Sequence, residues 1–118
     1  MKKVLIIDDE VDICYLLGSI LKNKNLQTEY VNSLSEAKEI LQDHQPSLVF
    51  IDNHLPDGRG VDFIGEIKKM FPSIKVVMIT AYDTSADKNI AIRSGVDGFI
   101  GKPFTKDSIY KTLEEVSN

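Results

Sequence analysis

Four short stretches of this chain are apolar without interruption and rich in Val and Ile: Val4–Ile7, Leu48–Ile51, Val76–Ile79 and, more weakly, Phe99–Ile100. A strand with one wet face alternates polar and apolar residues. A strand covered on both faces does not, so these runs predict strands buried within a parallel sheet. A fifth run, Gln27–Val31, does alternate and predicts a strand at the sheet edge.

Segments of helical period separate the runs. In the first, Ile13, Leu16 or Leu17, Ile20 and Leu21 share a face. The second opens on Ser33-Leu34-Ser35-Glu36, a capping box, and carries Leu34, Ala37 and Leu41 on one stripe. The third, about Gly60 to Met70, groups Ile64, Ile67 and Phe71 and ends before Pro72. The fourth starts at Thr84 or Ser85 and stops at Gly95, with a thin stripe of Ala86 and Ile90 that predicts a weakly held helix. Thr105 caps the fifth, with Phe104 and Ile109 at the staple positions. Strand and helix thus alternate five times, with crossovers long enough to carry a helix. The expected fold is a doubly wound α/β domain: a five-stranded parallel sheet with helices on both faces.

Length and charge narrow the function classes. A chain of 118 residues with 42% hydrophobic content makes one domain over residues 1–118. The net charge of −4 argues against nucleic-acid binding, which selects a basic face. The longest apolar run, Ile13 to Leu17, is far too short to span a membrane. A lone cysteine, Cys14, permits neither an internal disulfide nor a multi-cysteine zinc site; its place on an apolar helix face makes it core. These features fit a cytoplasmic protein.

Chemistry gathers at the strand ends. The first strand ends at Asp8 and Asp9, the third at Asp52, the fourth at Thr80 and the fifth at Lys102, while the edge strand contributes no such group. Open parallel sheets bind ligands outside the carboxyl ends of their strands, so these five side chains should converge. Singly, each has a plainer reading: Asp9 as a helix cap, Thr80 as a strand stop, Lys102 as a solvated cation. Their common edge argues for a site. Crowded carboxylates repel and call for a cation or a proton. Oxygen-only ligation suits magnesium or manganese. A lysine and a hydroxyl beside such a cation suit phosphoryl oxygens, and one carboxylate can act as nucleophile and form an acyl phosphate. Other motifs fail: Gly58-Arg59-Gly60 lacks a dinucleotide fingerprint's third glycine, Gly101-Lys102 lacks the first glycine and hydroxyl of a phosphate loop, and His44 and His54 are not spaced as a metal pair.

The pieces Ile6-Ile7-Asp8-Asp9-Glu10, Ile51-Asp52-Asn53-His54-Leu55-Pro56-Asp57-Gly58, Ile79-Thr80-Ala81 and Gly101-Lys102-Pro103-Phe104 together resemble the bacterial response-regulator receiver domain over essentially the whole chain. The resemblance implies sheet order 2-1-3-4-5 and a cis Lys102–Pro103 bond. It implies that Asp52 accepts a phosphoryl group from a phosphohistidine of a sensor histidine kinase or phosphotransfer protein. Asp9, Asp52 and the His54 carbonyl would ligate Mg2+ (or Mn2+), with Asp8 reaching it through water. Thr80, Lys102 and the Ala81 N–H would contact phosphoryl oxygens. The family further couples Thr80 to an aromatic on the fifth strand, here Phe99, whose plainer reading is core. That coupling reshapes the surface of the fourth helix, fifth strand and fifth helix for a downstream protein or effector domain, or for a phosphorylation-dependent homodimer.

The implied role is a switch and not a turnover enzyme, either as a stand-alone receiver or as the first domain of a longer protein. The alternative is a small α/β aspartate-based phosphatase or phosphotransferase. It is weakened by His54, which stands where haloacid-dehalogenase-type enzymes carry a second Asp. A scaffold that works without phosphorylation fits an intact pocket less well. Finally, His54 and Tyr82 flank the path of hydrolytic water in this family. Two rings there predict slow phosphate loss, unless a neutral His54 imidazole itself positions the water.

Overall fold

The computed structural model describes residues 2–81 and 84–117. Five strands form one parallel sheet: β1 (Lys3–Ile7), β2 (Gln27–Val31), β3 (Leu48–Asp52), β4 (Lys75–Thr80) and β5 (Gly98–Gly101). Their spatial order is β2-β1-β3-β4-β5, as the resemblance implied. Five helices alternate with them: α1 (Val11–Lys22), α2 (Leu34–Asp43), α3 (Gly60–Met70), α4 (Ser85–Arg93) and α5 (Lys106–Ser117). The β3–α3 connection adds a two-residue antiparallel ladder, His54 opposite Arg59 and Leu55 opposite Gly58, which sequence patterning missed.

Strand alternation divides the core in two. Leu5, Ile7, Val49, Ile51, Val76 and Met78 face one side, where α2, α3 and α4 pack. Val4, Ile6, Phe50, Val77, Ile79 and Ile100 face the other, covered by α1 and α5. β3 is buried along its whole length, as a continuous apolar run requires, whereas β2 at the edge buries only Val31. In α1 Cys14, Leu17, Ile20 and Leu21 are buried, so Leu17 is the core residue of its pair and Leu16 stays exposed. Burial lifts the Cys14 thiol to a pKa of about 11 and so keeps it protonated and unreactive.

The helix ends follow the expected chemistry. Ser33 Oγ accepts from the Glu36 N–H, while Glu36 Oε1 reaches back to the Asn32 N–H, one residue earlier than the usual box. Thr105 and Ser108 exchange backbone-to-hydroxyl bonds at the start of α5, and Phe104 packs in the same cluster as Ile109. Gly95 takes φ +96°, and the bonds Val96 N to Ala91 O and Gly95 N to Ile92 O close a Schellman motif.

One expectation is corrected. The inward face of α4 is not Ala86 and Ile90: Ala86 is exposed, Ile90 is half-buried, and the buried residues are Asp87 and Ala91. Hydrophobic periodicity weighs apolar residues only, and here a carboxylate turns inward because polar partners wait for it.

Candidate functional site

The carboxyl edge of the sheet brings Asp8, Asp52 and Lys102 together. Lys102 Nζ lies 2.9 Å from Asp8 Oδ2, 3.2 Å from Asp52 Oδ1 and 3.2 Å from Glu10 Oε1. The side chains of Asp8, Asp52 and Lys102 are 2%, 5% and 9% exposed, so one ammonium sits among carboxylates with little water to screen them. The Lys102–Pro103 bond is cis. The backbone supports the carboxylates as well: Glu10 N–H donates to Asp8 Oδ1 and His54 N–H to Asp52 Oδ2. Asn32, just past the edge strand β2, adds a support that the sequence did not indicate, donating from Nδ2 to the Asp8 carbonyl.

Charge is not balanced here. Burial raises the Asp8 pKa above the ordinary carboxylate value, against the pull of the Glu10 N–H and Lys102. Burial, followed by the Asp8 charge, raises Asp52 in the same way. Burial would also depress Lys102, but Asp8 and Asp52 outweigh it and hold the ammonium firmly protonated. Asp8 Oδ2 meets Lys102 as an ion pair without hydrogen-bond alignment, and it is the one buried side-chain oxygen left without a hydrogen bond among the described residues. Carboxylate oxygens of Asp8, Asp9 and Glu10 lie within 4.8 Å of one another. An oxygen-only donor set and a carboxylate excess together fit a hard divalent cation.

The other expected site residues fall as follows. Thr80 is buried at the end of β4, opposite Gly101 in register, and Ala81 follows it, exposed. Asp9 is exposed beside Asp8, and no side-chain cap from it closes the start of α1, which has Glu10 at its N-cap. His54 is exposed. Tyr82, named for its part in phosphate lifetime, lies outside the described residues. Phe99 is half-buried against the cluster under α2–α4, with Lys88 Nζ of α4 5.5 Å from its ring centre.

Several contributors escaped the sequence reading. Glu10 binds Lys102, and only its place directly after two aspartates hinted at this. Asp57 accepts from the N–H groups of Leu34 and Ser35, each at 2.9 Å, and so ties the β3–α3 loop to the start of α2. Those bonds hold its carboxyl below the usual range. Asn53 is wholly buried: its Oδ1 accepts from Val61 N–H at 2.9 Å, and its Nδ2 donates to Asp87 Oδ2 at 3.0 Å. Gly60 is required where it stands, since a Cβ there would collide with the Asp52 carbonyl.

Comparison with known proteins agrees with this geometry. Residues 4–114 match the Response regulator receiver domain family. The chain is similar to the response regulator protein PilR of Pseudomonas aeruginosa, 37% identical over 102 residues, covering 86% of this chain and 23% of PilR. It is also similar to the chemotaxis protein CheY of Halobacterium salinarum, 30% identical over 115 residues, with 98% and 96% coverage. The beryllofluoride-activated receiver domain dimer of NtrC4 superposes with a TM-score of 0.92 at 31% identity, covering 98% of this chain and 96% of that one. The chain thus spans about a quarter of PilR and nearly all of the archaeal CheY.

Proposed function

Since the chain belongs to the response regulator receiver domain family, we propose that Asp52 is its phosphoacceptor, taking a phosphoryl group from a phosphohistidine of a sensor kinase or phosphotransfer protein. The observation that carries this reading is the Asp52 carboxylate itself. It is buried at the carboxyl end of the central strand, with Oδ1 on Lys102 and Oδ2 on the His54 N–H. Those two donors orient the carboxylate for in-line attack on phosphorus. The P–N bond of the donor breaks as the P–O bond forms, and the electron pair leaves on the imidazole nitrogen. Lys102 then faces the charge on the phosphoryl oxygens, with the Thr80 hydroxyl and Ala81 N–H beside it.

Asp8, Asp9, Asp52 and the His54 carbonyl would hold Mg2+, or Mn2+ in its place. When bound, the cation offsets the carboxylate excess and draws charge from the phosphoryl oxygens. Glu10 keeps Lys102 within the pocket in the unphosphorylated state. The domain promotes only its own phosphorylation and dephosphorylation, in the cytoplasm, and the family match leaves the phosphatase alternative without support. Its output runs through the surface of α4, β5 and α5 to a downstream protein, an effector domain or a second copy of the chain.

The test is labelling by an acyl-phosphate donor with magnesium, read by mass. We expect one phosphoryl group on the parent and none on Asp52→Ala. Full labelling of that variant would refute the assignment.

A further inference from the structure

β3 ends at Asp52, and the residue directly after it, Asn53, is also polar; their side chains point to opposite faces of the sheet. Asp52 continues the row of Leu48 and Phe50 and enters the Lys102 pocket. Asn53 continues the row of Val49 and Ile51 and lies under α3 and α4. There its amide is used at both ends, by Val61 N–H of α3 and by Asp87 Oδ2 of α4. The other Asp87 oxygen takes Arg59 Nη1 at 2.9 Å, and Arg59 stands in the same loop, just before α3. Asp87 N–H itself donates to Thr84 Oγ1, the cap of α4. The first turn of α4 is therefore fastened to the loop that follows Asp52 by two side-chain bonds, one of them buried.

The rest of α4 offers little to replace that fastening. It buries only Ala91 and half of Ile90, whereas α3 beside it buries Val61, Phe63, Ile64 and Ile67. We infer that Asn53, Asp87 and Arg59 form a clasp that holds α4 in its resting position and opposes switching at Asp52. Asn53 and Asp52 share a peptide, so a shift of the Asp52 backbone toward a phosphoryl group also shifts the amide that Asp87 grips. An interaction made in one of two states biases the equilibrium toward that state, and the bias is reciprocal between sites. Releasing the clasp should therefore tighten the pocket's hold on a phosphoryl mimic. A residue serving stability alone would leave that hold unchanged or weaken it.

The inference rests on Asp52 as phosphoacceptor, and the experiment separates the two. Beryllofluoride with magnesium is titrated into the parent, Asp87→Ala, Asp87→Asn and Arg59→Gln, and hydrogen exchange over residues 85–93 is followed with and without it. In Asp87→Ala we expect faster exchange of α4 before any mimic is added, and a half-saturating beryllofluoride concentration at least about three-fold lower than the parent's. Asp87→Asn can still accept from Asn53 and should fall between the two. Arg59→Gln changes an exposed side chain, keeps the fold, and should move both readings in the same direction by less. Unchanged or weaker mimic binding in both Asp87→Ala and Arg59→Gln would overturn the clasp while leaving Asp52 in place. A parent that takes up no beryllofluoride would overturn the Asp52 reading, and the coupling with it.

Discussion

The two faces of the β3 terminus handle buried charge in opposite ways. On the Asp52 face, carboxylates crowd a single ammonium, a buried oxygen of Asp8 lacks a hydrogen bond, and both aspartates are pushed toward protonation. On the Asn53 face, every polar atom of the Asn53 side chain named above has a partner, and Asp87 is met by an amide and a guanidinium. One face matches each polar group with another, and the other holds more carboxylates than its one ammonium neutralises. Unbalanced buried charge costs stability, and folded proteins keep it where binding or chemistry later supplies the missing counter-charge. The difference marks which face acts and which face holds.

The contrast can be broken by substitution. The largest effect is expected on the satisfied face. Asn53→Ala strands the Val61 N–H and one Asp87 oxygen, and should lower stability by about 2–3 kcal/mol in denaturant unfolding. A loss near zero would mean that water replaces the amide and that the face is not as closed as its burial indicates.

Asp52→Asn should do the opposite in the absence of magnesium. It removes a buried charge from a crowded site while Lys102 keeps Asp8 and Glu10, so stability near neutral pH should rise by about 1 kcal/mol. Destabilisation of that size would show that Lys102 depends on Asp52 more than Asp52 suffers from Asp8.

The pH dependence sharpens the same point. A carboxyl whose folded pKa is raised binds its proton more tightly in the native state. Its favourable share is complete below the unfolded value, near 3.8, and is lost as pH climbs through the folded one. The advantage of Asp52→Asn over the parent should therefore be small at pH 4 and widen toward pH 7, measured by unfolding without divalent ions. An advantage that shrinks with rising pH would reverse the assigned direction. The opposite sign belongs to Asp57, whose lowered carboxyl contributes stability above 3.8 that acid removes.

The smallest of these effects is the thermal shift from magnesium. It should raise the midpoint of the parent more at pH 7 than at pH 5, where protons compete for Asp8 and Asp52, and should be lost in Asp9→Ala. An equal shift in that variant would remove Asp9 from the ligand set.

Much of this is readable in the sequence. Continuous Val and Ile runs located the three interior strands, β1, β3 and β4, because a strand covered on both faces has no polar face to show. The weaker Phe99–Ile100 run marked β5, which instead lies at the second edge of the sheet with only Ile100 buried. The capping residues Ser33 and Thr105 and the stop at Gly95 located helix ends, because those functions are local to a few residues. The heart of the pocket was legible because it sits on strand ends, where one rule about parallel sheets gathers Asp8, Asp52 and Lys102.

What the sequence could not determine is which polar residues find each other across the chain. Asn53 and Asp87 each read as ordinary loop and helix polar groups. Their bond exists only because the chain leaving β3 delivers an amide beneath α4 at the level of its first turn, where Asp87 turns inward beside Ala91 and Ala86 stays exposed. Likewise, Glu10 reaches Lys102 and Asp57 caps α2 only after the β1–α1, β3–α3 and β5–α5 loops meet at one edge. Hydrophobic periodicity and capping are set by neighbours in sequence, so the chain itself specifies them. Hydrogen bonds between distant side chains depend on distances fixed by the packed sheet, and only the tertiary structure decides them.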